Sequence, residues 1–103
     1  KELVAQGIPL YDVRRAEEWS QTGVVEVSRK LTFVDAAGRL NPEFLPRFSA
    51  EVDKTKPVIL ICRTGNRTDA LARELVAMGY TQVYNVRNGI TRWISDGNPV
   101  VKN

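Results

Sequence analysis

Apolar residues in this chain fall into two kinds of stretch: short dense runs, and longer segments in which they recur at three- and four-residue spacing. Residues 2–6 read as the end of a short helix stopped at Gly7. Residues 8–13 predict a first strand, apolar enough to be buried on both faces. Residues 14–20 predict one or two helical turns with Trp19 packed inward, and Thr22 and Gly23 break the pattern. The apolar run 24–27 predicts a second strand, and 31–34 another short extended piece. Residues 35–40 read as a turn. Asn41-Pro42 is a helix start, with Glu43 in the first turn and Phe44, Leu45, Phe48 and Val52 at helical spacing. Pro46 conflicts with that helix unless it lies within the first turn.

The second half is more regular. Val58, Ile59, Leu60 and Ile61 follow Pro57, and four branched apolar residues in a row predict a central parallel strand with Cys62 at its end. Residues 68–78 predict a helix, with Leu71, Leu75, Val76 and Met78 along one side and Gly79 as its stop. Residues 83–86 read as a strand and 90–94 as a last short helix, ended near Gly97. Strands alternating with helices at these lengths give an α/β chain with a parallel sheet covered on both faces. No repeat or low-complexity stretch interrupts 1–103, which is expected to be a single domain.

Composition narrows the chemistry. At 43% hydrophobic and 26% charged residues the chain is an ordinary globular mixture. No apolar run approaches the roughly 20 residues that span a bilayer, so no membrane partner is expected. The net charge of +3 comes from scattered Lys and Arg, without the basic stripe and interleaved aromatics of a nucleic-acid binder. A small anionic substrate fits that charge. A cytoplasmic setting suits a single reactive thiol. Because the sequence starts at Lys1 without Met, a periplasmic protein freed of its signal segment is also compatible. There is one cysteine and no histidine, so an internal disulfide, a paired-Cys zinc site and a Cys–His pair are all excluded. No ligand set has metal spacing, and neither a metal nor another cofactor is expected. If Cys62 is catalytic, something other than an imidazole activates it.

Cys62, Arg63, Thr64, Gly65, Asn66 and Arg67 lie between the predicted central strand and a helix start. Parallel sheets carry their sites at the carboxyl ends of strands. A loop entering a helix there offers N–H groups that no helical carbonyl can satisfy, and together they form an anion-binding cup. Gly65 permits the tight turn. A thiolate placed in the cup is favoured by the same donors, with Arg63 and Arg67 adding positive charge, and becomes a nucleophile without a base. A lone cysteine after a buried strand is often only a core residue. The two arginines and glycine that follow favour a functional one.

These residues resemble the catalytic strand and loop of the rhodanese (thiosulfate sulfurtransferase-like) family. The likeness extends to Leu10-Tyr11-Asp12-Val13-Arg14 with Glu17-Glu18-Trp19, to the segment 72–79 with Tyr80 and Val83, and to Asn88-Gly89-Ile90 with Trp93 and Gly97-Asn98-Pro99-Val100. It implies a central parallel five-stranded sheet with helices on both faces. It implies an enzyme that moves sulfur from thiosulfate or a similar small anionic donor to a thiol or cyanide acceptor, or to a protein acceptor, through a Cys62 persulfide. Gly65, Asn66, Arg67 and their neighbours would hold that persulfide, and Arg63 and Arg67 would orient the donor. Two departures stand out. The family's Gly-His-Ile-Pro-Gly-Ala stretch is replaced by Gly23-Val24-Val25-Glu26-Val27-Ser28, and its Gly-Gly pair by Asn88-Gly89.

Other readings have definite signatures. A cysteine phosphatase or arsenate reductase places five residues between Cys and Arg, and the position that arginine would take is Thr68. A persulfide carrier serving a protein partner would use the same loop. Asp12, Arg14, Glu17 and Glu18 read as a structural ion-pair set, Trp19 and Trp93 as packing residues, and Glu43, Glu51, Asp53, Lys54 and Lys56 as a solvated face.

Overall fold

The computed structural model describes residues 6–35 and 37–102. Four strands alternate with four helices: β1 (Leu10–Asp12), α1 (Ala16–Thr22), β2 (Arg29–Lys30), α2 (Phe44–Glu51), β3 (Val58–Ile61), α3 (Asn66–Ala77), β4 (Val83–Asn85) and α4 (Gly89–Ser95). The sheet order is β2-β1-β3-β4, every pair is parallel, and Leu10, Tyr11 and Asp12 lie opposite Ile59, Leu60 and Ile61.

The two-residue period of the central strands divides the core. Tyr11, Val13, Val58, Leu60 and Cys62 pack with Phe44 and Phe48 of α2 and with Leu71 and Leu75 of α3. Leu10, Ile59 and Ile61 face the other way, against Val25 and against Ile90 and Trp93 of α4. β1 continues toward β2 on one side while β3 continues toward β4 on the other. Opposite departures of neighbouring parallel strands open a crevice at their carboxyl ends.

The α/β architecture and the parallel sheet follow the sequence pattern, but the described residues form four strands, not five. The run 24–27 is not a strand of this sheet. Val24 and Val25 are buried, Val24 pairs antiparallel with Val101 in an isolated bridge, and the chain turns at once as the Ser28 N–H bonds Val25 O at 2.9 Å. The partner of β1 is instead Arg29–Lys30, which continues as the Leu31 and Phe33 N–H groups bond Asp12 O and Val13 O. The helix expected at 2–6 falls almost wholly outside the described residues; Gly7, its expected stop, has φ +82°. Pro46 is the third residue of α2, within the first turn, where its missing N–H has no intrahelical partner to lose. Trp19 is half-buried. No described helix is long and apolar enough to cross a membrane.

Arg14 is fully buried. Its guanidinium meets Asp12, also fully buried, through Nε–Oδ1 at 2.9 Å and Nη2–Oδ2 at 2.7 Å. It also donates to Thr22 Oγ1 at 2.8 Å and to Gly23 O at 3.0 Å. A buried pair whose remaining donors are satisfied ties the carboxyl end of α1 to β1.

Candidate active site

Cys62 follows β3 directly, at the carboxyl edge of the sheet beside β1. Its backbone is oriented from below by α4. Cys62 O accepts from Ile90 N–H at 2.7 Å and Arg63 O from Thr91 N–H at 3.1 Å. No peptide here is cis, and in a planar trans peptide the N–H points opposite to the C=O. The N–H groups of Arg63 and Thr64 therefore face away from α4, and neither has an acceptor among the described residues. This close seating requires glycine at 89: a Cβ there would lie 2.2 Å from Cys62 O and 2.5 Å from Arg63 O.

The rest of the loop completes the cup. Gly65 caps α3 with φ +99°, a left-handed turn that glycine enters freely. Its N–H points at the sulfur, with N to Sγ at 3.1 Å. The first helical bond of α3 runs from Asp69 N–H to Gly65 O, which leaves the amides of Asn66, Arg67 and Thr68 in the unpaired first turn. Thr68 Oγ1 lies 3.5 Å from Sγ and 3.2 Å from Gly65 O, and shares a short hydrogen bond with Asn85 Oδ1. A rotatable hydroxyl with these three neighbours can turn its one proton toward the sulfur. Cys62 itself is 1% exposed and belongs to the core cluster. Cys62 is thus packed into the core on one side while the Gly65 N–H faces its sulfur.

The arginines divide. Arg63 is exposed, and its side chain has no hydrogen bond or ion pair with any described residue. Arg67 does not stand free for an incoming anion, as the sequence suggested. Both of its terminal nitrogens donate to Glu18, at 2.7 Å each. Glu18 also accepts the Arg15 N–H at 3.1 Å, so one carboxylate caps α1 and grips the loop. Burial works against the Glu18 charge, but Arg67 and the Arg15 N–H outweigh it and hold the carboxyl at about 2. The Glu18 bond raises Arg67 above the usual arginine range against the opposing effect of burial, with smaller contributions from the Glu18 and Asp12 charges. The acidic and basic residues read as one structural set therefore separate: Asp12 and Arg14 brace the fold, Glu17 is exposed, and Glu18 reaches the loop.

Two hollows flank the loop. One, of about 420 Å³, is bordered by Arg15, Glu18, Asp35, Arg63 and Arg67. The other, of about 390 Å³, is bordered by Thr64, Gly65, Asn66, Asn85 and Arg87. Trp93 borders neither; it is buried, and its Nε1 donates to Pro99 O at 2.8 Å. Glu18, Thr68 and Asn85 were missed as site residues. Two signals existed, a hydroxyl residue in the first turn after the loop and a polar residue closing a strand. Nothing in the sequence links Glu18 to a residue 49 positions away.

Comparison with known proteins agrees with this geometry. The chain is 34% identical to an uncharacterised protein of Rickettsia conorii over 82 residues, covering 78% of this chain and 67% of that protein. It is 33% identical over 60 residues to the thiosulfate sulfurtransferase GlpE of Tolumonas auensis, 58% of this chain and 57% of that one. Among solved structures it superposes on a rhodanese-related protein of Thermoplasma volcanium with a TM-score of 0.75 and 25% identity, over 99% of this chain and 90% of that one. The family model for the rhodanese-like domain matches residues 1–96, and the chain belongs to that family.

Proposed function

We propose that this protein is a sulfurtransferase that carries sulfur as a persulfide on Cys62. The observation that supports the reading best is the Gly65 N–H aimed at Sγ from 3.1 Å, within a loop whose Arg63 and Thr64 amides have no protein acceptor among the described residues. Such donors favour an anion on sulfur without a general base, and the chain has no histidine to serve as one. The Cys62 thiolate attacks the outer sulfur of thiosulfate, a new S–S bond forms, the old one breaks, and sulfite leaves with the bonding pair. Arg63, the unpaired cation of the loop, draws in the anionic donor, while the Arg67 charge is held in place by Glu18. A thiophilic acceptor then attacks the outer sulfur, and the electron pair of the broken bond returns to Cys62. The phosphatase reading loses support because the loop arginine is committed to a carboxylate and position 68 carries a hydroxyl.

The test is intact mass after thiosulfate treatment. One added sulfur, about 32 Da, is expected and is removed by cyanide, with no gain in Cys62→Ala. An unchanged mass in the parent protein, or an equal gain in the variant, rejects the reading. Aryl phosphate turnover that disappears in Cys62→Ser replaces it with the phosphatase.

A further inference from the structure

The hollow beside Thr64, Gly65, Asn66 and Asn85 has no role in donor capture as described above. Its border is polar and nearly neutral. Two charged residues reach it, Asp69 and Arg87. Asp69 is already paired with Arg73 Nη2 at 2.8 Å. Arg87 is exposed and has no hydrogen bond or ion pair with any described residue. One uncompensated positive charge thus stands among neutral amide and hydroxyl groups. It stands beside the glycine whose N–H meets the sulfur of Cys62.

That charge distribution selects a ligand. A neutral molecule makes no use of Arg87, and the dianionic donor is drawn by Arg63 on the opposite flank, where Arg15 and Arg67 are already paired with Glu18. A single carboxylate matches Arg87, with the Thr64, Asn66 and Asn88 side chains beside it to bond the ligand's remaining polar groups. We propose that this hollow seats the carboxylate of a small thiol acceptor, and that Arg87 is a specificity-determining residue for the second half of the reaction. The inference rests on the sulfurtransferase reading. The acceptor thiol releases its proton to solvent and attacks the outer sulfur of the Cys62 persulfide. The S–S bond to Cys62 breaks, its electron pair returns to Cys62 as the thiolate, and the acceptor departs as its own persulfide.

The experiment uses two acceptors of similar size, 3-mercaptopropionate and neutral 2-mercaptoethanol. The full chain and its Arg87→Met variant are loaded with thiosulfate and freed of excess donor, and persulfide consumption is followed by mass. Loading is expected to be unchanged. Arg87→Met should slow 3-mercaptopropionate by about three- to fivefold, the upper range of an exposed charge pair, and leave 2-mercaptoethanol within about twofold. Arg87→Lys should restore most of the difference. Equal slowing of both thiols, or of neither, overturns the proposal. Binding is read separately from transfer, with the thioether 3-(methylthio)propionate shifting the side-chain amide resonances of Asn66 and Asn85 in the unloaded protein but not in Arg87→Met. If those shifts occur and no persulfide ever forms, the carboxylate site stands and the sulfurtransferase reading fails. If persulfide forms and the shifts are absent, the reverse holds.

Discussion

The Glu18–Arg67 pair offers the sharpest quantitative test of how the loop is held. Keeping the Glu18 carboxyl at about 2 instead of 4.5 corresponds to roughly 3 kcal/mol of preference for the charged form. Part of that belongs to the Arg15 N–H, and the Arg67 side chain is 25% exposed, so solvent screens the pair. A coupling of about 1–2 kcal/mol between the two side chains remains, larger than for a fully exposed pair. Urea unfolding of the parent, Glu18→Gln, Arg67→Met and the double variant closes the cycle. Each single variant should lose stability, and the double variant should be less unstable than the two losses combined. A loss of this size lowers the melting temperature by about 5–10 °C in a domain this small. The pH dependence has a definite sign. The folded Glu18 carboxyl titrates below its ordinary value, so its contribution is complete above pH 4.5 and fades as pH falls toward 2. The stability gap between parent and Glu18→Gln should close over that window. A coupling below about 0.3 kcal/mol at neutral pH, or a gap that persists at the acid end, refutes the assignment.

Two further substitutions probe the cup itself. Gly89→Ala drives a methyl group into the carbonyls of Cys62 and Arg63, so a loss of more than about 3 kcal/mol in urea unfolding is expected, together with loss of thiosulfate loading; a near-parental midpoint would count against the seating of α4. Thr68→Val keeps the shape but removes the hydroxyl shared by Sγ, Gly65 O and Asn85, which should cost about 1–3 kcal/mol and slow loading, with Thr68→Ser restoring both.

The sequence was most legible where local rules and tertiary demands agree. Four branched residues ending in Cys62 could hardly be anything but a buried strand, and Gly65 marked the turn at which α3 begins. Asn88 also behaved as its type allows, adopting φ +60°. β2 was illegible because Arg29 and Lys30 are an exposed edge: their backbone pairs with β1 while their side chains carry no apolar signal. Val24 and Val25 gave the opposite error, since burial alone looks like a strand when the turn that ends it is unmarked. Arg14 was legible as a partner of Asp12, but its further bonds to Thr22 and Gly23 were not, since they depend on how α1 packs on β1. The partner of Arg67 depended on α1 and α3 meeting across the crevice between β1 and β3, a matter of topology rather than composition.

The grip of α4 on the carbonyls of Cys62 and Arg63 also orders events in time. During translation the thiol leaves the ribosome well before Ile90 and Thr91 do, so for that interval nothing turns its flanking peptides. The nascent cysteine then lacks those two contacts, which arrive only when α4 docks. On the proposed reading sulfur transfer waits for residues 90 and 91, and a product cut short before residue 90 would hold the thiol without the seated loop.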